Sequence, residues 1–561
     1  MSKAASNGET RTLQRPTDAE YIAILGRLRK AFPSPILDRE HDARLESLIR
    51  QSLQKADKLK LSRPLLGTSS QSDDCRRLKH RLCEQPQNAE DVTEQLAEYL
   101  QGMMILGHPQ TQVNVGPSPT IPSIVGGLLP TIYNANLVSD EASGRVSRAE
   151  TEAIAITADL LGYPPGVADG VFTFGGTGTL LYAAKVGLEK ACPGTRRTGH
   201  RHPAVILCSH QAHHSSMNVA SWLGLGEDHV VHVATGVDNS LRLDDFEFQL
   251  RRVLADGNRV ACIIATVGTT DAFGLDDLQG MRRIRDALAA EFQLSYRPHL
   301  HADAVIGWAW RVFCRYDFME NELGFCPRTL RALEKTHDRL QALPLADSIG
   351  VDYHKTGFAP YISSAVVFQD KKDLRLIARE ADFTPYLFSS GDYHPGTFTL
   401  ETSRSGAGPM SALANLRLFG TKGLQSLLGH LVSMADYFRS QLEAHAVAAV
   451  LNDRNGGPVT LFRVYPAGVD MRAMLAAERT DRAYQDRVRA HNDLNRRVFE
   501  MIQKEAHRGE GALLSMTECC HETDHGEPIV ALKSYLLSPF CEPEHCDGVL
   551  HSIDRARRSL E

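Results

Sequence analysis

The chain has 561 residues, 42% hydrophobic and 23% charged, with a net charge of −6 and a pI near 6.5. That length can bury large cores and should hold more than one domain, and no Lys/Arg block is long enough for a nucleic-acid footprint. Residues 1 to 20 are polar, and no uninterrupted apolar run reaches the roughly 18 residues that membrane spanning requires, so a cytosolic protein without a membrane partner is expected. Eleven cysteines without a framework spacing suit reduced thiols. Cys519, Cys520, His521, His525, Cys541, His545 and Cys546 crowd the C-terminal part, yet no pair has the Cys-x2-Cys spacing of zinc sites, so no metal is expected.

Residues 1–105 are charged and helical in pattern, with Val92, Leu96, Leu100 and Met103 at helical spacing after Asn88-Ala89-Glu90-Asp91. From about 106, strand-like runs alternate with helical ones. The runs 204–208, 230–233, 260–265 and 298–300 read as strands. A helix opened by Asp244 carries Phe246, Leu250, Val253 and Leu254 on one face, and Gly257 follows its end. The alternation predicts a doubly wound α/β core over 106–415, with a mainly parallel sheet. After Ser364–Phe368 the chain becomes loop-like, then helical from about Pro409, and a smaller α+β domain is expected over 416–561.

Phe172-Thr173-Phe174-Gly175-Gly176-Thr177-Gly178-Thr179 leads into Leu180, Leu181, Ala184 and Leu188 at helical spacing. A Gly-rich turn delivering a helix N-terminus suits phosphate, with Thr177 or Thr179 able to donate a hydroxyl. Ser209-His210-Gln211-Ala212-His213-His214-Ser215 follows the strand 204–208, and chemistry alone does not choose among the three histidines. Val267-Gly268-Thr269-Thr270 closes the next strand, at the edge where open α/β sheets bind ligands. Asp303 ends His299-Leu300-His301-Ala302-Asp303, and such a carboxylate suits a protonated pyridine nitrogen or, equally, a helix cap. Ala346-Asp347-Ser348 leads to Asp352-Tyr353-His354-Lys355, whose apolar-flanked lysine suits an aldehyde-anchoring amine. Two needs of pyridoxal phosphate are thereby met.

In order and spacing, Gly176, His213, Thr270, Asp303, His354 and Lys355 resemble the group II pyridoxal phosphate decarboxylases, the family of glutamate and aromatic amino acid decarboxylases. The resemblance covers about 106–420 well and the remainder loosely. It implies a fold type I architecture like that of aspartate aminotransferase. It makes Lys355 the Schiff-base lysine, Asp303 the pyridine partner and His213 the ring-stacking histidine, selected by counting back from Leu223-Gly224-Leu225-Gly226. It also makes Gly176 and Thr177 phosphate ligands, with Thr270, Ser348 and His354 completing the cofactor shell.

Asp382-Phe383-Thr384-Pro385-Tyr386-Leu387-Phe388 resembles the family's mobile catalytic loop, which implies that Tyr386 helps protonate the substrate carbon, with His213 as the alternative donor. Aldehyde-forming relatives often carry phenylalanine there, so Tyr386 favours simple decarboxylation. The family is typically a homodimer with shared active sites, so Tyr386 is expected to act on the neighbour's site. Arg404 follows that loop where the family keeps an arginine, and His108–Asn114 resembles the His-Pro segment at the substrate mouth, with Asn114 and Ser118 as polar candidates.

Three departures stand out. The interval from Asp303 to Lys355 is longer than in the familiar aromatic members and includes Trp308, Trp310, Tyr316, Asp317 and Phe318, which either reshape the crevice or extend the surface. Gly178 and Thr179 replace a commoner acidic-then-small pair, and Asp352 stands where asparagine is frequent. The expected reaction is decarboxylation of an L-amino acid to its amine and carbon dioxide. Carbon–carbon lyase or oxidative deaminase chemistry on the same frame is the alternative. A non-enzymatic paralogue would require loss of a core residue, and none is lost.

Overall fold

The structure, a computed structural model, describes residues 20–60, 64–67, 81–379 and 391–560. They fall into two compact units, Met1–Met104 and Ile105–Glu561. In the first, helices Glu20–Arg29, Arg39–Lys58 and Ala89–Glu98 carry most of the order. Asn88 caps the last of these, its side chain accepting from the Asp91 N–H at 2.8 Å. That helix stops at Glu98, so Leu100 and Met103 leave the apolar stripe expected of it; the chain turns at Gly102, where φ is +81°.

The second unit contains twelve strands among its described residues. They are β1 (Thr111–Gln112), β2 (Asp169–Thr173), β3 (Ala204–Ser209), β4 (Val230–Val233), β5 (Arg259–Thr266), β6 (His299–Asp303), β7 (Ser348–Asp352), β8 (Ser364–Phe368), β9 (Ala448–Val450), β10 (Val459–Val464), β11 (Leu513–Glu522) and β12 (Pro528–Tyr535). The larger sheet has the order β2-β8-β7-β6-β5-β3-β4, and β8 runs antiparallel to both of its neighbours. β3 through β7 pair in parallel, as their near-continuous apolar sequences anticipate for strands buried on both faces. The helix Leu243–Ala255 buries the four expected residues, Phe246, Leu250, Val253 and Leu254.

The smaller sheet, β1-β11-β12-β10-β9, takes its edge strand β1 from the start of this unit. The helix Ala407–Ala444 is kinked at Gly420 and packs on both the Ile121–Ile132 helix and β9. The interval between Asp303 and Lys355 is divided: Asp317 and Met319 are exposed and extend the surface, whereas its tryptophans are core. Trp308 and Trp310 are fully buried, and Tyr316 packs edge-on against Phe313 and Phe318.

Candidate active site

The parallel strands end along one edge. Asp303 is the last residue of β6, and Asp352 the last of the adjacent β7, with Asp303 in register with Gly350. Beyond Asp352 the chain turns tightly, the Lys355 N–H donating to the Asp352 carbonyl and the Phe358 N–H to that of Lys355. Tyr353 locks this turn: its ring stacks on Phe172 at 5.3 Å and its hydroxyl meets that of Thr157 at 2.6 Å. Trp308, from the long interval, donates its indole N–H to the Asp352 carbonyl at 3.2 Å. Trp308 thus braces the lysine-bearing turn, its ring also meeting that of Tyr353 at 5.2 Å.

Lys355 projects into a charged crevice. Its Nζ lies 2.9 Å from Oδ2 of Asp352, whose side chain is 1% exposed. Burial lowers the lysine's pKa, but the Asp352 charge and hydrogen bond and the Asp303 charge outweigh it, leaving the amine above its ordinary value. Asp303 is pushed up to about 6, first by burial and then by Asp352, with Lys355 opposing. Its Oδ1 is buried without a hydrogen-bond partner among the described residues. A buried acceptor left open at the end of a strand is rare in a folded protein and suits a donor that arrives with a ligand.

The helix Gly176–Ala191 begins at the same edge. Gly175 precedes it at φ +113°, a conformation that favours glycine, and offers no side chain to cap the first N–H groups. A Cβ at Gly176 would stand 3.1 Å from the Asp352 carboxylate, so this helix end and the Lys355 turn adjoin. Thr179 is buried and spends its hydroxyl on the Gly176 carbonyl at 2.7 Å, whereas Thr177 is exposed. Of the two threonines only Thr177 has a hydroxyl without a hydrogen-bond partner among the described residues. Gly350 admits the close approach of this helix, since a Cβ there would stand 2.5 Å from Thr179 Oγ1.

His213 is exposed as a residue, yet desolvation of its ring, then His214 and Lys355, lower its pKa to about 4. It is therefore neutral, with Nδ1 2.9 Å from the Ser215 hydroxyl. His210 lies elsewhere, stacked on His232 at 5.2 Å. His354 is buried, its Nδ1 3.0 Å from the Ser363 carbonyl and its Nε2 3.5 Å from Asp352. Burial lowers its pKa. Thr270 is half-buried in the turn that continues β5, next to the strand that ends in Asp303.

Two expected residues are engaged elsewhere. Ser348 begins β7, four residues and thus about 13 Å of extended strand from Asp352. Its hydroxyl bridges the buried His299 and His301, each at 2.8 Å. Arg404 is buried against Glu150 in a two-pronged pair, with Nη1 2.5 Å and Nη2 3.0 Å from the two carboxylate oxygens, and also donates to the Phe172 and Leu137 carbonyls. No N–H of its terminal nitrogens is left for a substrate carboxylate in this arrangement. Asn114 is exposed and Ser118 half-buried, beside Gly107. Tyr386 lies outside the described residues.

Tyr361 is a residue that motif spacing did not single out. Its ring centroid lies 4.3 Å from that of His354, and its hydroxyl donates to the Val115 carbonyl at 3.2 Å, joining the 108–118 segment to the lysine turn. Burial raises its pKa, with Lys355 opposing and Asp352 adding, so it faces the same charges. A Pro360-Tyr361 step just past the lysine was its only sequence signal.

The residues present fit pyridoxal phosphate: an amine for the aldehyde, an open carboxylate oxygen for the ring nitrogen and an uncapped helix end for the phosphate. The family model of the pyridoxal-dependent decarboxylase conserved domain matches residues 73–465. Among curated relatives, an L-2,4-diaminobutyrate decarboxylase of Rhizobium meliloti (strain 1021) is 27% identical over 59% of this chain and 60% of its own length. An aspartate 1-decarboxylase of Aliivibrio fischeri (strain ATCC 700601 / ES114) is 24% identical over 62% and 56%. The chain thus spans about 60% of the curated relatives it matches. In fold it is similar to the glutamate decarboxylase domain of a diaminobutyrate-pyruvate transaminase and L-2,4-diaminobutyrate decarboxylase from Vibrio parahaemolyticus (18% identity, TM-score 0.71, covering 96% of this chain and 100% of that one). It is likewise similar to Catharanthus roseus tryptophan decarboxylase (17% identity, TM-score 0.72, 94% and 100%). With the match extending over most of its length, the chain belongs to the pyridoxal-dependent decarboxylase family.

Proposed function

We propose that this chain uses pyridoxal 5'-phosphate to decarboxylate an L-amino acid, releasing the amine and carbon dioxide. The observation that carries the reading is the Lys355 amine held 2.9 Å from Asp352, beside an Asp303 whose Oδ1 lacks a hydrogen-bond partner among the described residues. Pyridoxal phosphate, when bound, would supply an electron-withdrawing ring able to take up the electron pair left on the substrate carbon as carbon dioxide departs. In this reading Lys355 anchors the aldehyde carbon, Asp303 holds the proton of the ring nitrogen, and Gly176 with Thr177 bind the phosphate. Thr270 and His354 shape the remaining walls. His213, neutral at physiological pH, packs on the ring face and orients it.

Proton return to the substrate carbon falls to Tyr386 of a neighbouring chain or to Tyr361 of the same one. Both are phenols, and Tyr361 adjoins His354. The 108–118 segment, reaching the crevice through Val115 and Tyr361, selects the substrate side chain. The curated relatives are named for diaminobutyrate, aspartate and tyrosine, and the polar candidates Asn114 and Ser118 distinguish none of these.

The reading includes a homodimer with shared sites. The helix Ile121–Ile132 exposes Ile121 (78%), Ile124, Val125, Leu128 and Leu129, with Tyr133 (80%) just beyond, a stripe too apolar to face water alone. A cleft of about 780 Å³ lined by Leu128, Phe174, Tyr361 and Arg404 opens beside it. The reading also includes a cytoplasmic location, supported by free thiols throughout the described cysteines. No described helix is long and apolar enough to cross a membrane. Its domain division is an appendage over 1–105, a cofactor-binding domain over 106–415 and a small C-terminal domain over 416–561.

Product analysis tests the reaction. An amino-acid panel supplied to the loaded enzyme should give carbon dioxide and amine in equal amounts from one substrate class. Aldehyde with peroxide, or cleavage of the side chain, would replace decarboxylation with one of its rivals.

A further inference from the structure

The C-terminal part contains a second concavity, about 560 Å³, that shares no lining residue with the Lys355 crevice. Its walls are β9 with Leu451, the helix Met471–Thr480, and Cys520, His521 and Ile529 of the paired β11 and β12. Arg472, Leu475, Ala476 and Arg479 all line it. Their spacing of three, four and seven residues puts them on one stripe of the helix. Arg454, from the loop after β9, adds a third guanidinium.

These three cations have no hydrogen bond or ion pair from their guanidinium groups among the described residues. Of the two lining carboxylates, Glu443 is hydrogen-bonded to Arg328 in a two-pronged pair at 2.7 and 2.9 Å and feels Arg472 only through its charge, so the lining carries three guanidinium groups against two carboxylates. His521 is kept below its ordinary pKa by burial and then by Arg479, so it adds ring nitrogens without a charge. Between the polar groups the surface is apolar: Ala448, Val450, Leu475 and Ile529.

The helix is held in place. Glu478, on the adjoining face and fully buried, accepts from Tyr465 at 2.8 Å, lies 2.6 Å from His491 Nδ1 and pairs with the buried Arg463 at 3.5 Å. Asp470 caps its first turn, accepting from the N–H groups of Arg472 and Ala473. Side chains on an anchored helix present a groove whose geometry exists before a ligand arrives.

We propose that this concavity binds a small phosphate monoester carrying an apolar body. Three planar guanidinium forks match a doubly charged group with three accepting oxygens, and the apolar wall accommodates what the phosphate is attached to. The site has no part in the decarboxylation chemistry proposed above and stands independently of it.

Calorimetric titration of the full chain, treated with pyridoxal phosphate and borohydride so that the cofactor is fixed at its own site and then freed of excess cofactor by gel filtration, tests this with phenyl phosphate as probe. Saturable binding is expected, with Arg472→Gln and Arg479→Gln each weakening it about tenfold or more. Arg472 is exposed, so its substitution leaves the fold intact. Leu475→Glu should abolish binding, and inorganic phosphate and benzoate should each bind at least about tenfold more weakly than phenyl phosphate. Absence of saturable heat, unchanged affinity in the Arg472 variant, or equal affinity for inorganic phosphate or benzoate would overturn the proposal.

Discussion

Lys355 Nζ stands 2.9 Å from a carboxylate of Asp352 that water hardly reaches, so the amine's proton affinity is set by its third neighbour back along the chain. The folded-state pKa is raised, so this pair stabilises the fold below the ordinary lysine pKa and the contribution disappears as pH rises through the raised value. Asp352→Asn removes the main opposition to burial. The pH at which Lys355 reacts with an aldehyde should then fall by about one unit or more, read from the pH dependence of pyridoxal phosphate capture. An unchanged profile would show that Asp303 alone governs the amine.

Asp303 works in the opposite sense to an ordinary ion-paired aspartate. Its folded pKa near 6 lies above the unfolded value, so the unliganded protein loses stability as pH rises through about 6. Asp303→Asn should remove that slope from denaturant unfolding curves and stabilise the unliganded form at neutral pH by about 2–3 kcal/mol. Decarboxylation should fall about 10²-fold or more in the same variant, because the ring nitrogen loses its charged partner. A variant less stable than the parent at neutral pH would contradict this account.

Arg404 is predicted to act on the fold, because Glu150 holds it inside. Arg404→Ala leaves a buried carboxylate unpaired and should cost about 3–5 kcal/mol in unfolding free energy. The enzyme that remains folded should keep its KM. A large rise in KM with stability unchanged would restore Arg404 as a substrate ligand.

Tyr361→Phe keeps the ring against His354 and removes the hydroxyl bonded to Val115. If this phenol returns the proton, kcat should drop about 10²-fold with little change in KM and with the bound-cofactor absorbance intact. Comparing it with Tyr386→Phe, and mixing Lys355→Ala chains with Tyr386→Phe chains, separates a donor within the chain from one across a dimer. Activity restored in the mixture identifies sharing.

Four of the five parallel strands, β3 to β6, were legible as apolar runs, and Asp303 closes β6, whereas β7, interrupted by Gly350, was not read as a strand. Lys355 was legible from its apolar flanks. What sequence spacing missed depends on partners far along the chain. Glu150 lies 254 residues before Arg404, and nothing near Arg404 announces it. Ser348 lies close to Lys355 in sequence but at the other end of β7, where strand rise carries it toward His299 and His301. Trp308 and Trp310 could have been surface or crevice residues by composition, and only packing against Tyr353 and Phe273 makes them core. Tyr361 became visible once the turn after Lys355 brought it back over His354.

The central claim is that Lys355 anchors pyridoxal phosphate. Borohydride reduction of the cofactor-treated protein, followed by absorbance and peptide mass mapping, tests it most directly. The account predicts a reducible visible band, a stable phosphopyridoxyl adduct on the peptide containing Lys355, and loss of both in Lys355→Ala. An adduct on another lysine, or a band that persists in Lys355→Ala, would contradict it.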